Sequence, residues 1–160
     1  KIFPAVSAAE LHIYSGPATY GSYGAYREAT MNKILQNAQG MQNKGVFLHE
    51  PVSKRELAKI LLKTRALLYR GDPGETFCLS VGEAQAAGVP AVVKDIGCVS
   101  ERIIDNETGY LAPNDDAFVE KTIKLLTDDK IWQKLSSASL AQQRNWGWEN
   151  AAEAFEELFL

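Results

Sequence analysis

Apolar residues along this chain fall into short blocks of two alternating kinds. Near-continuous runs at 11–15, 45–49, 66–70, 90–93 and 110–112 read as strands. Between them, apolar positions recur every three or four residues, as on one face of a helix. Residues 26–38 place Met31, Ile34, Leu35 and Ala38 on such a face, with Gly40 as a stop. Residues 53–64 do the same with Leu57, Ile60 and Leu61, and Ser53-Lys54-Arg55-Glu56 has the form of a capping box. The spacing predicts further helices over 79–87, 99–104, 115–127, 129–142 and 148–159, with a turn at 106–109.

Strands alternating with helices imply a parallel sheet with right-handed crossovers and helices on both faces. Strands that are apolar throughout suit a sheet covered on both sides. The expected architecture is one doubly wound, Rossmann-like α/β domain over residues 1–160, with extra helices at the C-terminal end. Ligands of such folds lie beyond the carboxyl ends of the strands. Here those ends deliver Gly16 and the segments 49–52, 70–75 and 94–98 to one rim. Residues 16–24, with three glycines and two tyrosines, read as a mobile loop.

Composition narrows the class. With 160 residues, 46% hydrophobic and 23% charged, the chain can bury a core and is not expected to be disordered. A net charge of −3 argues against a general nucleic-acid binder. The apolar runs are too short to cross a membrane, and Lys1-Ile2-Phe3-Pro4 leads into no secretory h-region. Cys78 and Cys98 form no CxxC pair and have no histidine cluster beside them, which argues against a structural zinc site. They read as free thiols of a cytoplasmic protein.

The densest chemistry lies in 75–90, ETFCLSVGEAQAAGVP. Glu75 stands in a loop just before a helix, and Glu83 follows eight positions later on that helix. The free N–H groups at a helix start attract phosphate, and Ser80 adds a hydroxyl. A carboxylate near the same end accepts hydrogen bonds from vicinal hydroxyls, as on a ribose. Bland readings stand beside these. Ser80-Val81-Gly82-Glu83 is itself an S-x-x-E capping box, in which Glu83 turns back to the Ser80 backbone for about 1 kcal/mol. Glu75 can equally be a solvated loop residue.

Taken in order, several segments resemble the group 1 retaining glycosyltransferases. Glu75-Thr76-Phe77-Cys78-Leu79 followed by Glu83-Ala84-Gln85-Ala86-Ala87-Gly88-Val89-Pro90 is similar to that family's E-x7-E block. Val92-Val93 with Gly97, the turn Asn106-Glu107-Thr108-Gly109-Tyr110-Leu111, and Trp148 with Ala151-Ala152 match its later landmarks in order. The resemblance covers residue 11 to the C-terminus. It implies one half of a GT-B fold: the C-terminal domain that binds a nucleotide-diphospho-sugar. On it, Glu83 holds the ribose, and the amides of Phe77, Cys78 and Leu79, with Ser80, hold the sugar and distal phosphate. Glu75 is the catalytic candidate facing the sugar, and the Pro51-Val52 loop lies against the base. The resemblance further implies transfer without a metal or other cofactor, helix dipoles and positive groups stabilising the leaving diphosphate.

The chain departs from the pattern in three ways. Thr76 and Cys78 stand where the family often has glycines, and Arg70-Gly71 about where it has Pro-Ser. The family's first strand and helix, with an Arg/Lys pair for the diphosphate, are expected to precede Lys1. The N-terminal acceptor domain is expected to lie outside the chain as well, so that this part binds a donor and transfers nothing alone. Arg70 and Lys94 either replace the missing cations or are solvated. His12 and His49 read as satisfied core or rim histidines, and Trp132, Trp146 and Trp148 as packing the core or its edge. Two alternatives stay open: a nucleotide-sugar epimerase or phosphorylase of the same fold, and a non-catalytic α/β binding module.

Overall fold

A computed structural model describes residues 1–14, 28–145 and 147–159. The expected loop at 16–24, the start of the helix at 26 and Trp146 lie outside the described residues. The chain divides into two compact units, Lys1–Leu57 and Ala58–Leu160. The described strands pair as a two-stranded and a three-stranded sheet, both parallel, where one continuous sheet was expected.

In the first unit a short helix, α1 (Ile2–Ala5), precedes β1 (Leu11–Tyr14). Helix α2 (Glu28–Gln39) and a 3-10 turn (Gln42–Lys44) lead to β2 (Val46–His49). The strands run in register from Leu11 opposite Val46 to Tyr14 opposite His49. Helix α2 packs against β2, with Ala38 and Val46 buried. Gly45 makes the approach to β2 possible: its φ is 73°, and a Cβ there would sit 2.7 Å from the Ala9 carbonyl oxygen. His12 and His49 are partnered, Nδ1 to Nε2 at 2.8 Å, and Glu10 lies 3.1 Å from His12 Nε2. Phe47, His12, His49 and Tyr14 stack with ring centroids 4.4 to 5.2 Å apart. Helix α3 (Lys54–Leu61) begins at the expected capping box: Glu56 Oε2 accepts the Ser53 N–H at 3.2 Å, and Ser53 Oγ accepts the Glu56 N–H at 3.3 Å.

The second unit holds β3 (Leu67–Tyr69), β4 (Ala91–Lys94) and β5 (Gly109–Ala112), in that order across the sheet. Strand alternation sorts its residues between two cores. Ala91 and Val93 pack with Cys78, Val81, Val99 and Ile103, joined by Leu67, Tyr69 and Leu111. Val92, Tyr110 and Ala112 pack with Phe118, Leu125 and Leu135 on the opposite face. Ala91, Val92 and Val93 are each 0% exposed, as a central parallel strand requires.

Helix α4 (Leu79–Ala86) covers the first face with a 3-10 helix (Gly97–Arg102), the predicted short helix in tighter form. Helices α5 (Asp115–Thr127) and α6 (Asp129–Arg144) follow β5. Asn114 and Asp128 cap them, their side chains accepting the N–H groups of Ala117 and of Lys130 and Ile131. Helix α6 also packs on α4, where Ser136 Oγ donates to the Gly88 carbonyl and Ser139 Oγ to that of Thr108, both at 2.6 Å. Helix α7 (Trp148–Glu156) ends in a 3-10 turn (Glu157–Phe159), earlier than the spacing suggests. Trp132 packs against the second core as expected, whereas Trp148 is 89% exposed: apolar spacing marks a helix face but not what covers it. No helix among the described residues is long and apolar enough to cross a membrane.

Candidate functional site

The loop between β3 and α4 is built around one carboxylate. Glu75 Oε1 accepts the backbone N–H groups of Thr76 at 3.1 Å, Phe77 at 3.2 Å and Cys78 at 2.8 Å. Its Oε2 accepts the Tyr69 hydroxyl at 2.9 Å. The Cys78 amide above all, then that of Phe77 and the Tyr69 hydroxyl, hold the Glu75 carboxyl below its ordinary 4.5. Tyr69 is pushed the other way, first by burial and then by its bond to Glu75. Glu75 is therefore an organising carboxylate, not a merely solvated one.

The loop is braced from its neighbours. Asp72 Oδ1 accepts the Gly74 N–H at 2.8 Å, and the Asp72 carbonyl accepts that of Glu75 at 3.0 Å. The segment after β4 presses against it: Cys98 donates its N–H to the Glu75 carbonyl at 3.3 Å. Gly97 has φ 66°, and a Cβ there would lie 2.8 Å from the Asp72 carbonyl oxygen, so this approach is open only to glycine. Burial first, and then the Glu75 carboxylate, push the Cys98 thiol up and disfavour a nucleophilic thiolate.

Helix α4 starts at Leu79, with Cys78 as its N-cap in a left-handed conformation, φ 54°. Ser80 is therefore inside the helix, and the Ser80–Glu83 capping box is not formed. The Cys78 carbonyl accepts the N–H groups of both Val81 and Gly82. Those of Leu79 and Ser80 belong to the helix start, where no intrahelical carbonyl reaches them. Glu83 is half-buried and, as the fifth residue of α4, lies just beyond its first turn. Phe77 and Leu79 project outward, 51% and 62% exposed, and Ser80 is exposed beside them. Glu75, Phe77, Cys78, Leu79, Ser80 and Glu83 thus all lie on one loop and the helix it feeds. Pro51 and Val52 belong to the first unit, in the exposed segment after β2.

Arg70 and Lys94 end β3 and β4, and both bind one carboxylate. Asp115, in the first turn of α5, accepts Arg70 at 2.8 Å and Lys94 at 2.9 Å. Lys94 first, and then Arg70, hold the Asp115 carboxyl below its ordinary value. Sequence reasoning missed Asp115, Tyr69 and Arg102. The Arg102 guanidinium lies 3.7 Å from the centroid of the Phe77 ring, and its Nε donates to the Phe77 carbonyl at 2.8 Å. For Asp115 a signal existed, an acidic residue just after an Asn cap at the rim. Tyr69 and Arg102 gave none, because only the fold brings them to the loop.

The pattern described as "Glycosyl transferases group 1" matches residues 25–142. A D-inositol 3-phosphate glycosyltransferase of Xylanimonas cellulosilytica is 30% identical over 116 residues, covering 71% of this chain and 28% of that protein. The crystal structure of TarM superposes with a TM-score of 0.72 at 24% identity, covering 99% of this chain and 30% of that one. A pneumococcal O-GlcNAc transferase, GtfA, solved in complex with UDP and GlcNAc, gives 0.70 at 17% identity, with 98% and 30% covered. The chain therefore spans under a third of the length of each.

Proposed function

The chain belongs to the group 1 glycosyl transferases, and from that premise we propose that it forms the donor-binding part of a glycosyltransferase. Its ligand is a nucleotide-diphospho-sugar, and the whole protein transfers the sugar to an acceptor with retention at the anomeric carbon. The observation that carries the reading is the Glu75 loop. It ends at a helix start, with the N–H groups of Leu79 and Ser80 beyond intrahelical reach, Ser80 and Phe77 exposed, and Glu83 on the next turn.

In this reading the helix start and the Ser80 hydroxyl receive the distal phosphate, where anionic charge is favoured. Glu83 accepts the ribose hydroxyls. Glu75 faces the donor sugar and sets the loop that lines it, by gathering the amides of Thr76, Phe77 and Cys78. The leaving diphosphate is stabilised without a metal, by fixed dipoles and positive groups already in place. The UDP and GlcNAc bound by the pneumococcal neighbour fit the same ligand class.

Calorimetric titration of the chain with UDP, GDP and ADP tests the proposal. One of them is expected to bind, and Glu83→Gln to weaken that binding with little change in melting temperature. Absence of binding at millimolar concentration would contradict it.

A further inference from the structure

Arg102 holds the peptide group between Phe77 and Cys78 by one end while Glu75 holds it by the other. Its own main chain is fixed: the Arg102 carbonyl accepts Nε2 of Gln85 at 2.7 Å, and Gln85 is 1% exposed within α4. From that anchor the guanidinium stacks on the Phe77 ring at 3.7 Å, and Nε donates to the Phe77 carbonyl at 2.8 Å. The N–H of the same peptide group, that of Cys78, donates to Glu75 Oε1 at 2.8 Å. A trans peptide is planar, with its C=O and N–H on opposite sides, so gripping both ends fixes its plane.

The grip acts against a local preference. Cys78 has φ 54°, in the left-handed region that is sterically unfavourable for a residue with a Cβ. Turning the peptide over would relieve that strain, but it would turn the Cys78 N–H away from Glu75 and the Phe77 carbonyl away from Arg102. Arginine suits the task, because one planar guanidinium both stacks on a ring and donates a hydrogen bond from Nε.

We propose that Arg102 is a positioning residue of the donor site: by locking the 77–78 peptide and the Phe77 ring it shapes the loop for the sugar half of the donor. This rests on the donor-binding reading above. Arg102 acts through Phe77, so its loss should weaken recognition of the sugar and spare that of the nucleotide.

The test compares UDP with UDP-glucose, and GDP with GDP-mannose, by calorimetry on the intact chain, alongside melting temperature. Arg102→Met is expected to weaken binding of the sugar conjugate about tenfold while bare nucleoside diphosphate changes less than about twofold. Arg102→Lys, which keeps the charge but neither the stack nor the Nε bond, is expected to show most of the same loss. It carries the test if the methionine variant does not fold. Phe77→Leu keeps the carbonyl and removes the ring, and should give part of the selective loss. An unchanged ratio of the two affinities, a parallel fall in both, or full retention by Arg102→Lys overturns the proposal. A wild-type chain that binds no nucleotide overturns the donor reading and this inference together; normal binding in both arginine variants overturns the inference alone.

Discussion

Two arginines of the second unit do the same chemistry at different places. Arg65 lies over the Trp132 ring at 5.5 Å, and its Nε donates to the Leu125 carbonyl at 3.1 Å. Arg102 lies over the Phe77 ring at 3.7 Å, and its Nε donates to the Phe77 carbonyl at 2.8 Å. Around Arg65 the ring and the carbonyl it holds are packed into the fold, although its ion-pair partner Asp129 is 80% exposed. Trp132 Nε1 returns a bond to the Arg65 carbonyl at 2.7 Å, Asp129 pairs with the guanidinium at 2.7 Å, and Leu125 is 0% exposed. Around Arg102 the held ring is 51% exposed and the next residue is in a left-handed conformation. One clamp joins helices α5 and α6 to the start of β3, where it can only stabilise. The other holds a strained, exposed loop at the carboxyl end of the strands, where ligands of such folds bind. The side chain alone does not distinguish them; what is held does.

That contrast can be broken from either side. The largest effect is expected at the closed corner: Trp132→Ala should cost about 3 kcal/mol of stability by removing a packed aromatic, with nucleotide affinity unchanged once folded. A coupled loss of affinity would show that the corner is not separate from the site. Next comes Arg102→Met, with about a tenfold loss for the sugar conjugate, or about 1.4 kcal/mol, and a melting temperature close to wild type.

Acid provides a finer probe. The Glu75 carboxyl is held below 4.5 in the folded chain. Its bonds therefore contribute stability above that value and lose it as pH falls through the lower, folded value. Wild type should converge on Glu75→Gln in stability below pH 4.5, whereas a constant gap down to pH 3 would assign the loop's stability to other groups. The smallest change is expected at Ser53→Ala, which removes the cap of α3 for about 1 kcal/mol or less and leaves ligand binding untouched.

Periodicity made most of the elements legible, because apolar faces repeat on the scale of a single helix or strand. Helix α5 runs over the predicted residues, Asp115–Thr127, because Asn114 and Asp128 mark its ends locally. Two S-x-x-E boxes look alike in the sequence, yet only Ser53–Glu56 forms. At Ser80 the helix has already begun, since Cys78 takes up the capping position through a conformation that local preference argues against. In the sequence, two carboxylates marked the block 75–83 as a candidate site. Its inner organisation was not legible, because Glu75 turns back onto the amides of residues 76–78 and the Tyr69 hydroxyl, while Phe77 is held by Arg102, 25 positions away.

The most direct measurement follows the backbone amides of the 15N-labelled chain while UDP-glucose or GDP-mannose is added. Saturable shifts are expected, largest at Leu79, Ser80 and Glu83 and extending to Phe77 and Cys78. Shifts absent from this stretch, or concentrated on the stacked His12–His49 face instead, would contradict the donor-binding reading.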